Sequence, residues 1–277
     1  LSRSLIFDDI SYFYPKDYKN EHYFFQFTAS FAPFLSKEDE KVIKKEELLF
    51  HIPGIPDKDY YGEIVPGNRL TTESGIPTSI TFGFLKSLLE TCKKHSPQGV
   101  CIAFDTKEIT FRQEIDPKYK ANRGAPPSIF LEDIKRLENI LVKYLNLKVF
   151  KYPTFEADDV LGSLSKEGSK KNWFVKILSG DKDLFQLVDS KKDIYVLYMG
   201  SGGPFAKSSS PIQMDEEAVL EKIGVEPNRV ADLKALMGDP SDNIPGVKGI
   251  GSKTAINLLS ENKNIEDIYK SLNKVIN

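Results

Sequence analysis

The sequence predicts an α/β protein: a parallel sheet covered on both faces, followed by a small helical C-terminal region. Three observations predict it. Short apolar runs recur, each ending on an acid; segments with apolar residues at 3/4 spacing lie between them; and beyond residue 211 only helical spacing continues. Strands alternating with helices of this length call for a parallel sheet buried between helix layers.

The elements follow in order. SLIFDD, Ser4 to Asp9, is an apolar run closing on acid and reads as a buried strand. Residues 16–69, rich in Tyr, Phe, Lys and Glu, break the alternation and read as an insertion of about 54 residues. Pro77 suits a first helical turn ahead of Phe82, Leu85, Leu88 and Leu89. GVCIAFD, Gly99 to Asp105, is the second strand, and Ile134, Leu137, Ile140, Leu141, Tyr144 and Leu145 space a helix. WFVKILSGD, Trp173 to Asp181, is the third strand, and Ser201 to Pro211 reads as a flexible Gly/Ser/Pro loop. Helices are then expected at Glu216–Ile223, Arg229–Met237, Thr254–Leu259 and Ile265–Leu272. The expected division is an α/β core over residues 1–210 and a helical region over 211–277.

Composition narrows the class. With 40% hydrophobic and 28% charged residues, the chain of 277 reads as an ordinary globular protein. No run approaches the 18 apolar residues of a membrane span, so no membrane partner is expected. Cys92 and Cys101 form no disulfide framework, and with His22, His51 and His95 they show no zinc-like spacing. The chain opens on Leu1 without an apolar h-region, so a presequence or further domain is expected outside this sequence. The net charge of −2 argues weakly against an anionic partner, until the acids are seen to cluster.

The stretch EADDVLG, Glu156 to Gly162, crowds three carboxylates into four positions. Two unit charges about 4 Å apart repel by roughly 1 kcal/mol in water and about 4 kcal/mol near a protein surface. A helix dipole returns only about 0.3–1 kcal/mol per first-turn acid, too little to hold such a group together. The three strands end on Asp8, Asp105 and Asp181, with Asp183 two residues on, and the C-terminal edge of a parallel sheet is where ligands bind. GDPSDN adds Asp239 and Asp242. With Glu156, Asp158 and Asp159, nine carboxylates are candidates for one site. Magnesium takes oxygen ligands of this kind, and a metal pair roughly 3.5–4 Å apart can activate water and stabilise a departing oxygen in phosphodiester hydrolysis. Setting those nine of the 40 acids aside leaves 31 against 38 basic residues, so the remaining surface is mildly basic.

Two segments could meet nucleic acid. Phe111 to Gly124 carries Arg112, Lys118, Lys120 and Arg123 around Tyr119, directly after the Asp105 strand. Such a segment can guide a single strand and stabilise developing charge. Asn243 to Leu259 has glycines at 246, 249 and 251; a P-loop would need Lys at 252, where Ser252 stands. The alternative is a glycine hairpin between helices that offers backbone N–H groups to phosphate, with Lys248 and Lys253 nearby.

With these residues assembled, the chain resembles the 5′-nuclease family: the N-terminal domain of bacterial DNA polymerase I and the phage and cellular flap endonucleases. The matching pieces are LIFDDISYFY, LTTESGIPTSITFGFLKSLL, VCIAFDTKEITFRQE, YKANR, FEADDVLGSL, ILSGDKDLFQLV and LKALMGDPSDNIPGVKGIGSKTAINLL, in family order. The resemblance implies a PIN/resolvase-like nuclease core, a helical arch at about 107–128, and a helix–hairpin–helix element in the C-terminal region. It implies a two-metal 5′–3′ exonuclease or flap endonuclease acting near 5′ single-strand/duplex junctions in DNA replication and repair. Asp8, Asp105, Glu156 and Asp158 would hold one metal; Asp181, Asp183, Asp239 and Asp242 the second, with Asp159 in support. Lys120 and Arg123 match the catalytic, phosphate-contacting pair on the arch, and Tyr119 its stacking aromatic. Lys234, Lys253 and the hairpin glycines Gly246, Gly249 and Gly251 match positions near bound duplex. The implied cofactors are two Mg2+ ions, replaceable by Mn2+, and K+ at the hairpin. The implied partner is branched or flapped DNA, RNA-primed 5′ ends included, met by a monomer.

Two departures are visible. Asp9 stands where the family has Gly, and residues 16–69 lengthen a connection that the family keeps short. The insertion, with the Lys, Asn, Ile and Phe usage, points to an organelle such as an apicoplast-type plastid or mitochondrion, with a bacterial cytoplasm as the alternative. A haloacid-dehalogenase-like phosphatase would need a second acid two residues after its strand-end Asp; Ile10 and Lys107 stand there instead. A junction-binding module without catalysis would gain nothing from nine acids near phosphate.

Overall fold

Strands with apolar residues on both faces must lie between two helix layers. A computed structural model of the chain, which describes residues 23–28, 72, 76–124, 126, 128–199 and 211–276, shows which strands these are. In chain order the elements are β1 (Tyr23–Thr28), α1 (Ser79–His95), β2 (Gly99–Ala103), α2 (Phe111–Ile115) and α3 (Ser128–Asn139, continuing as a π turn to Tyr144). Then come β3 (Lys148–Phe150), α4 (Ala157–Lys170), β4 (Phe174–Ser179), β5 (Ile194–Tyr198) and β6 (Ile212–Met214). Four helices close the described chain: α5 (Glu216–Ile223), α6 (Val230–Met237), α7 (Ser252–Glu261) and α8 (Ile265–Ile276).

Among the described residues the sheet order is β3-β2-β1-β4-β5-β6, parallel except for the antiparallel edge strand β6. Alternation along each strand divides the core. Ile102, Leu178 and Leu197 face Phe84 and Leu88 of α1 and Leu137 of α3. Cys101, Ala103, Val175, Ile177 and Val196 face Val160, Leu161 and Leu164 of α4. That second layer runs on through Val219, Leu233, Leu236, Ala255, Leu259 and Ile268, so the C-terminal helices share the core of the sheet.

Two expectations change. The strand between β2 and β4 is β1, which falls inside residues 16–69; that stretch is therefore not wholly an insertion outside the sheet. YFFQFT is almost all aromatic and β-branched, the composition that a slot between two parallel neighbours takes. The run at residues 4–9, with Asp8, and the loop at 201–210 lie outside the described residues. Finally, β6 precedes the C-terminal helices, so the chain beyond residue 211 is not entirely helical.

The strand order reverses between β1 and β4: β2 and β3 lie on one side of β1, and the chain then crosses to β4 on the other. Such a reversal opens a crevice at the C-terminal edge of the sheet. Asp105 lies two residues past β2 and Asp181 two past β4, so both stand at this edge.

Candidate metal centre and nucleic-acid interface

The acids meet at the crevice because four local structures aim them there. Asp105 Oδ1 accepts the Ala157 N–H at 2.7 Å, which docks the end of β2 onto the first turn of α4. Glu156 is the N-cap of α4, and its N–H donates to Asp159 Oδ2 at 3.0 Å, as in a capping box. Asp181 N–H donates to Ser179 Oγ at 3.0 Å, and Asp181 Oδ1 accepts the Asp183 N–H at 2.8 Å, folding the GDKD turn back on itself. Asp239 and Ile244 exchange two backbone bonds of 2.8 Å, closing the tight turn that carries Asp242.

Behind that turn the backbone of Gly246 (φ +64°) presses on Gly238 (φ +79°); a Cβ on Gly246 would come within 2.3 Å of Gly238 N. Gly246 is thus required by the fold's own close approach. Gly249 and Gly251 have open space around them, and Lys253 is exposed on the first turn of α7.

Two acid groups result. Asp183, Asp239 and Asp242 each offer one carboxylate oxygen, all within 4.8 Å of one another. In the second group, burial and then Asp181, Asp105 and Glu156 push the Asp158 carboxyl well above its ordinary range, against the pull of Lys120. Asp158 Oδ1 is a buried oxygen with no hydrogen-bond partner. Asp105, open to solvent on one side but crowded by protein, is raised chiefly by that crowding, while its bond from Ala157 opposes. Burial and Asp181 also raise Asp183, and Lys234 opposes. Hard oxygen donors with an orphaned buried oxygen among them fit a divalent cation. One hydroxyl joins the two groups: Tyr119 Oη, with a single proton to donate, lies 3.2 Å from Glu156 Oε2 and 3.1 Å from Asp242 Oδ2.

Basic side chains fill in between the acids. Lys120 Nζ lies 2.9 Å from Glu156 Oε2, and its backbone, at φ +56°, donates to the Asp242 carbonyl at 2.9 Å. Arg123 reaches Asp242 Oδ1 at 2.5 Å and the Ser241 carbonyl at 3.1 Å. Asn122 donates to the Pro240 carbonyl at 2.8 Å, and Asn243 to the Lys118 carbonyl at 2.7 Å. The segment after α2 is thereby fastened to the Asp239–Asn243 turn. Lys234 Nζ bridges Asp183 Oδ1 at 2.7 Å and Asp239 Oδ2 at 2.5 Å. Burial works against the Lys234 charge, yet the two carboxylates raise its pKa overall. Burial likewise works to raise Asp239, but Lys234 and Ser241 hold it below its ordinary value.

Several sequence expectations need correction at this level. Asp159 is committed elsewhere: its two oxygens take a fork from Arg112 at 2.6 and 2.8 Å, and one also caps Glu156. Tyr119 is buried at 8% exposure, with its hydroxyl on two acids, and presents no open ring for stacking. Lys234 lies among the acids, on Asp183 and Asp239. Asp8 lies outside the described residues. The unmatched acid at the third helical position of α4 is the sequence signal for the partner of Arg112.

A family model for the 5′–3′ exonuclease N-terminal resolvase-like domain matches residues 55–224, and one for the 5′–3′ exonuclease C-terminal SAM fold matches residues 225–277. DNA polymerase I of Synechocystis is 47% identical over 206 residues, covering 74% of this chain but only 21% of that protein. The 5′–3′ exonuclease of Aquifex aeolicus is 38% identical over 205 residues, covering 74% of this chain and 67% of that protein. Among solved structures, T5 5′-exonuclease with bound zinc aligns at TM-score 0.58 and 23% identity, covering 70% of this chain and 71% of that one. The bacteriophage T5 flap endonuclease, in complex with DNA and metal ions, aligns at TM-score 0.61 and 19% identity, covering 91% and 79%. The two structures share the fold, and with both family domains matched in order across residues 55–277 the chain belongs to the 5′–3′ exonuclease family of nucleases.

Proposed function

We propose that this chain hydrolyses DNA phosphodiesters near 5′ single-strand/duplex junctions with two divalent cations, in DNA replication and repair. The observation that carries the reading is Asp158: a carboxylate buried among Asp105, Glu156 and Asp181, with one oxygen unpartnered. A fold retains so unfavourable a group where a cation neutralises it. Asp105, Glu156 and Asp158 would hold one magnesium, for which manganese can substitute, and Asp181, Asp183, Asp239 and Asp242 the other. When bound, such a pair supplies an activated water and stabilises charge on the departing oxygen.

The chain's own residues do the rest. Lys120 and Arg123, now paired with Glu156 and Asp242, are free to turn to a phosphate once those acids have another counter-charge. Tyr119, its pKa raised by burial and by Glu156 and Asp242, stays a hydrogen-bond donor between the two groups. Gly249, Gly251 and Lys253 present backbone and charge to duplex phosphates beside α7, where a potassium ion would also bind. The substrate is flapped or branched DNA, RNA-primed 5′ ends included.

A 5′-labelled flap substrate tests this in magnesium, with EDTA as control. Magnesium-dependent release of the 5′ strand is expected. Turnover of a small phosphate ester without DNA cleavage would favour a phosphatase instead, and junction binding without cleavage a binding module.

A further inference from the structure

Arg112 belongs to α2, at the base of the basic segment, and Asp159 is the third residue of α4, 47 positions away in the chain. The guanidinium meets this carboxylate through two bonds, 2.6 Å to Oδ2 and 2.8 Å to Oδ1. It also lies 3.9 Å from Glu156 Oε2. Planar, two-bond pairing of this kind fixes direction as well as distance. The same Asp159 Oδ2 accepts the Glu156 N–H at 3.0 Å. Around it the contact is built up further: Phe111 N–H donates to the Thr154 carbonyl at 3.0 Å, and the Phe111 and Phe155 rings meet at 5.7 Å. Thr154 holds a left-handed backbone, φ +68°, to make that approach.

We infer that Arg112 is a positioning residue for the metal ligands of α4. It turns Asp159 away from the metal centre and holds it as the cap that sets the Glu156 backbone. Glu156 and Asp158, the residues three and one before Asp159, are thereby aimed into the crevice from a fixed first turn. The same clamp ties that turn to α2, so the segment bearing Tyr119, Lys120 and Arg123 starts from a base fixed to the ligands it faces. Without the fork, Asp159 becomes a free carboxylate beside an already crowded Asp158, and the first turn of α4 loses its anchor.

The inference rests on the proposed metal-dependent reading, and the test separates the two. Mn2+ is titrated calorimetrically into the full chain and into Arg112→Ala and Arg112→Lys, with thermal unfolding of each followed in parallel. Changing a group that orients metal ligands weakens metal binding about 10–100-fold. Arg112→Ala is expected to raise the Mn2+ dissociation constant at least about tenfold while remaining folded at the titration temperature. Arg112→Lys keeps the charge but not the fork, and should recover only part of that loss; it carries the test if Arg112→Ala fails to fold. Variants that melt earlier but bind Mn2+ as the parent does would reduce Arg112 to a structural staple and overturn the inference alone. A parent chain that binds no Mn2+ would overturn the metal reading itself.

Discussion

Asp158 shows at the scale of one residue how far the site departs from a purely structural arrangement. Its ordinary pKa is 3.8, and burial with three neighbouring acids raises it well above that in the fold. As pH climbs past about 4, the unfolded chain gives up this proton first, while the folded chain keeps it until the raised value is reached. Stability from this group therefore falls as pH rises through that interval and stays low above it. Asp105 and Asp183, also raised, act in the same direction; Asp239, lowered, acts in the opposite one. A cation that needs ionised carboxylates reverses the trend, binding better as pH rises. Magnesium at about 100 times its Kd would add about 2.7 kcal/mol. The melting-temperature gain of magnesium over EDTA should thus be larger at neutral pH than at pH 5; no gain at either would remove the metal from the account. At the same scale, Asp181→Ala is expected to abolish cleavage and leave flap-DNA binding within about threefold, because it deletes a ligand and no DNA anchor. Undiminished turnover would reject its role. Lys120→Ala should lower kcat about a hundredfold with little change in KM, the mark of a charge used in the transition state.

The elements were unevenly legible. The 3/4 spacing in Glu216–Ile223 and the apolar run in WFVKILSGD are local signals, and α5 and β4 appear where those signals lie. β1 was missed for a physical reason. Tyr23–Thr28 carries Gln26 and Thr28 and closes on no acid, so it lacks the apolar-run-then-acid pattern that marks β2 and β4. Asp159 was misassigned similarly: spacing puts it among ligands, but only the fold brings Arg112 to it. The glycine hairpin shows the same division between local pattern and tertiary contact. All three hairpin glycines looked alike in sequence, yet only Gly246 is pressed against Gly238. Gly246→Ala must therefore relieve a backbone clash as well as a left-handed φ, whereas Gly249→Ala meets only the second, about 1–2 kcal/mol. Gly246→Ala should lower the melting temperature clearly more than Gly249→Ala; equal losses would show that the close approach costs nothing.

Across the whole molecule the charge is nearly balanced, at −2, but it is sorted into a carboxylate crevice and a mildly basic remainder. The cations best placed to meet a phosphate at the crevice are not free: Lys120, Arg123 and Lys234 are paired with Glu156, Asp242, Asp183 and Asp239. A phosphate approaching without a divalent cation must compete with carboxylates already at hydrogen-bond distance. With the acids neutralised, the same three cations can turn outward to the strand. Each phosphate contact adds a slope of about −0.9 to log K against log salt for duplex DNA, and about −0.7 for single strands. Flap-DNA binding should therefore be tighter in calcium, a non-hydrolytic substitute for magnesium, than in EDTA, and its salt slope steeper by about two. The comparison is made by fluorescence anisotropy over a potassium chloride series at fixed calcium. Equal slopes in the two conditions would mean that the paired cations never reach the DNA, and that binding is carried by the α7 hairpin alone.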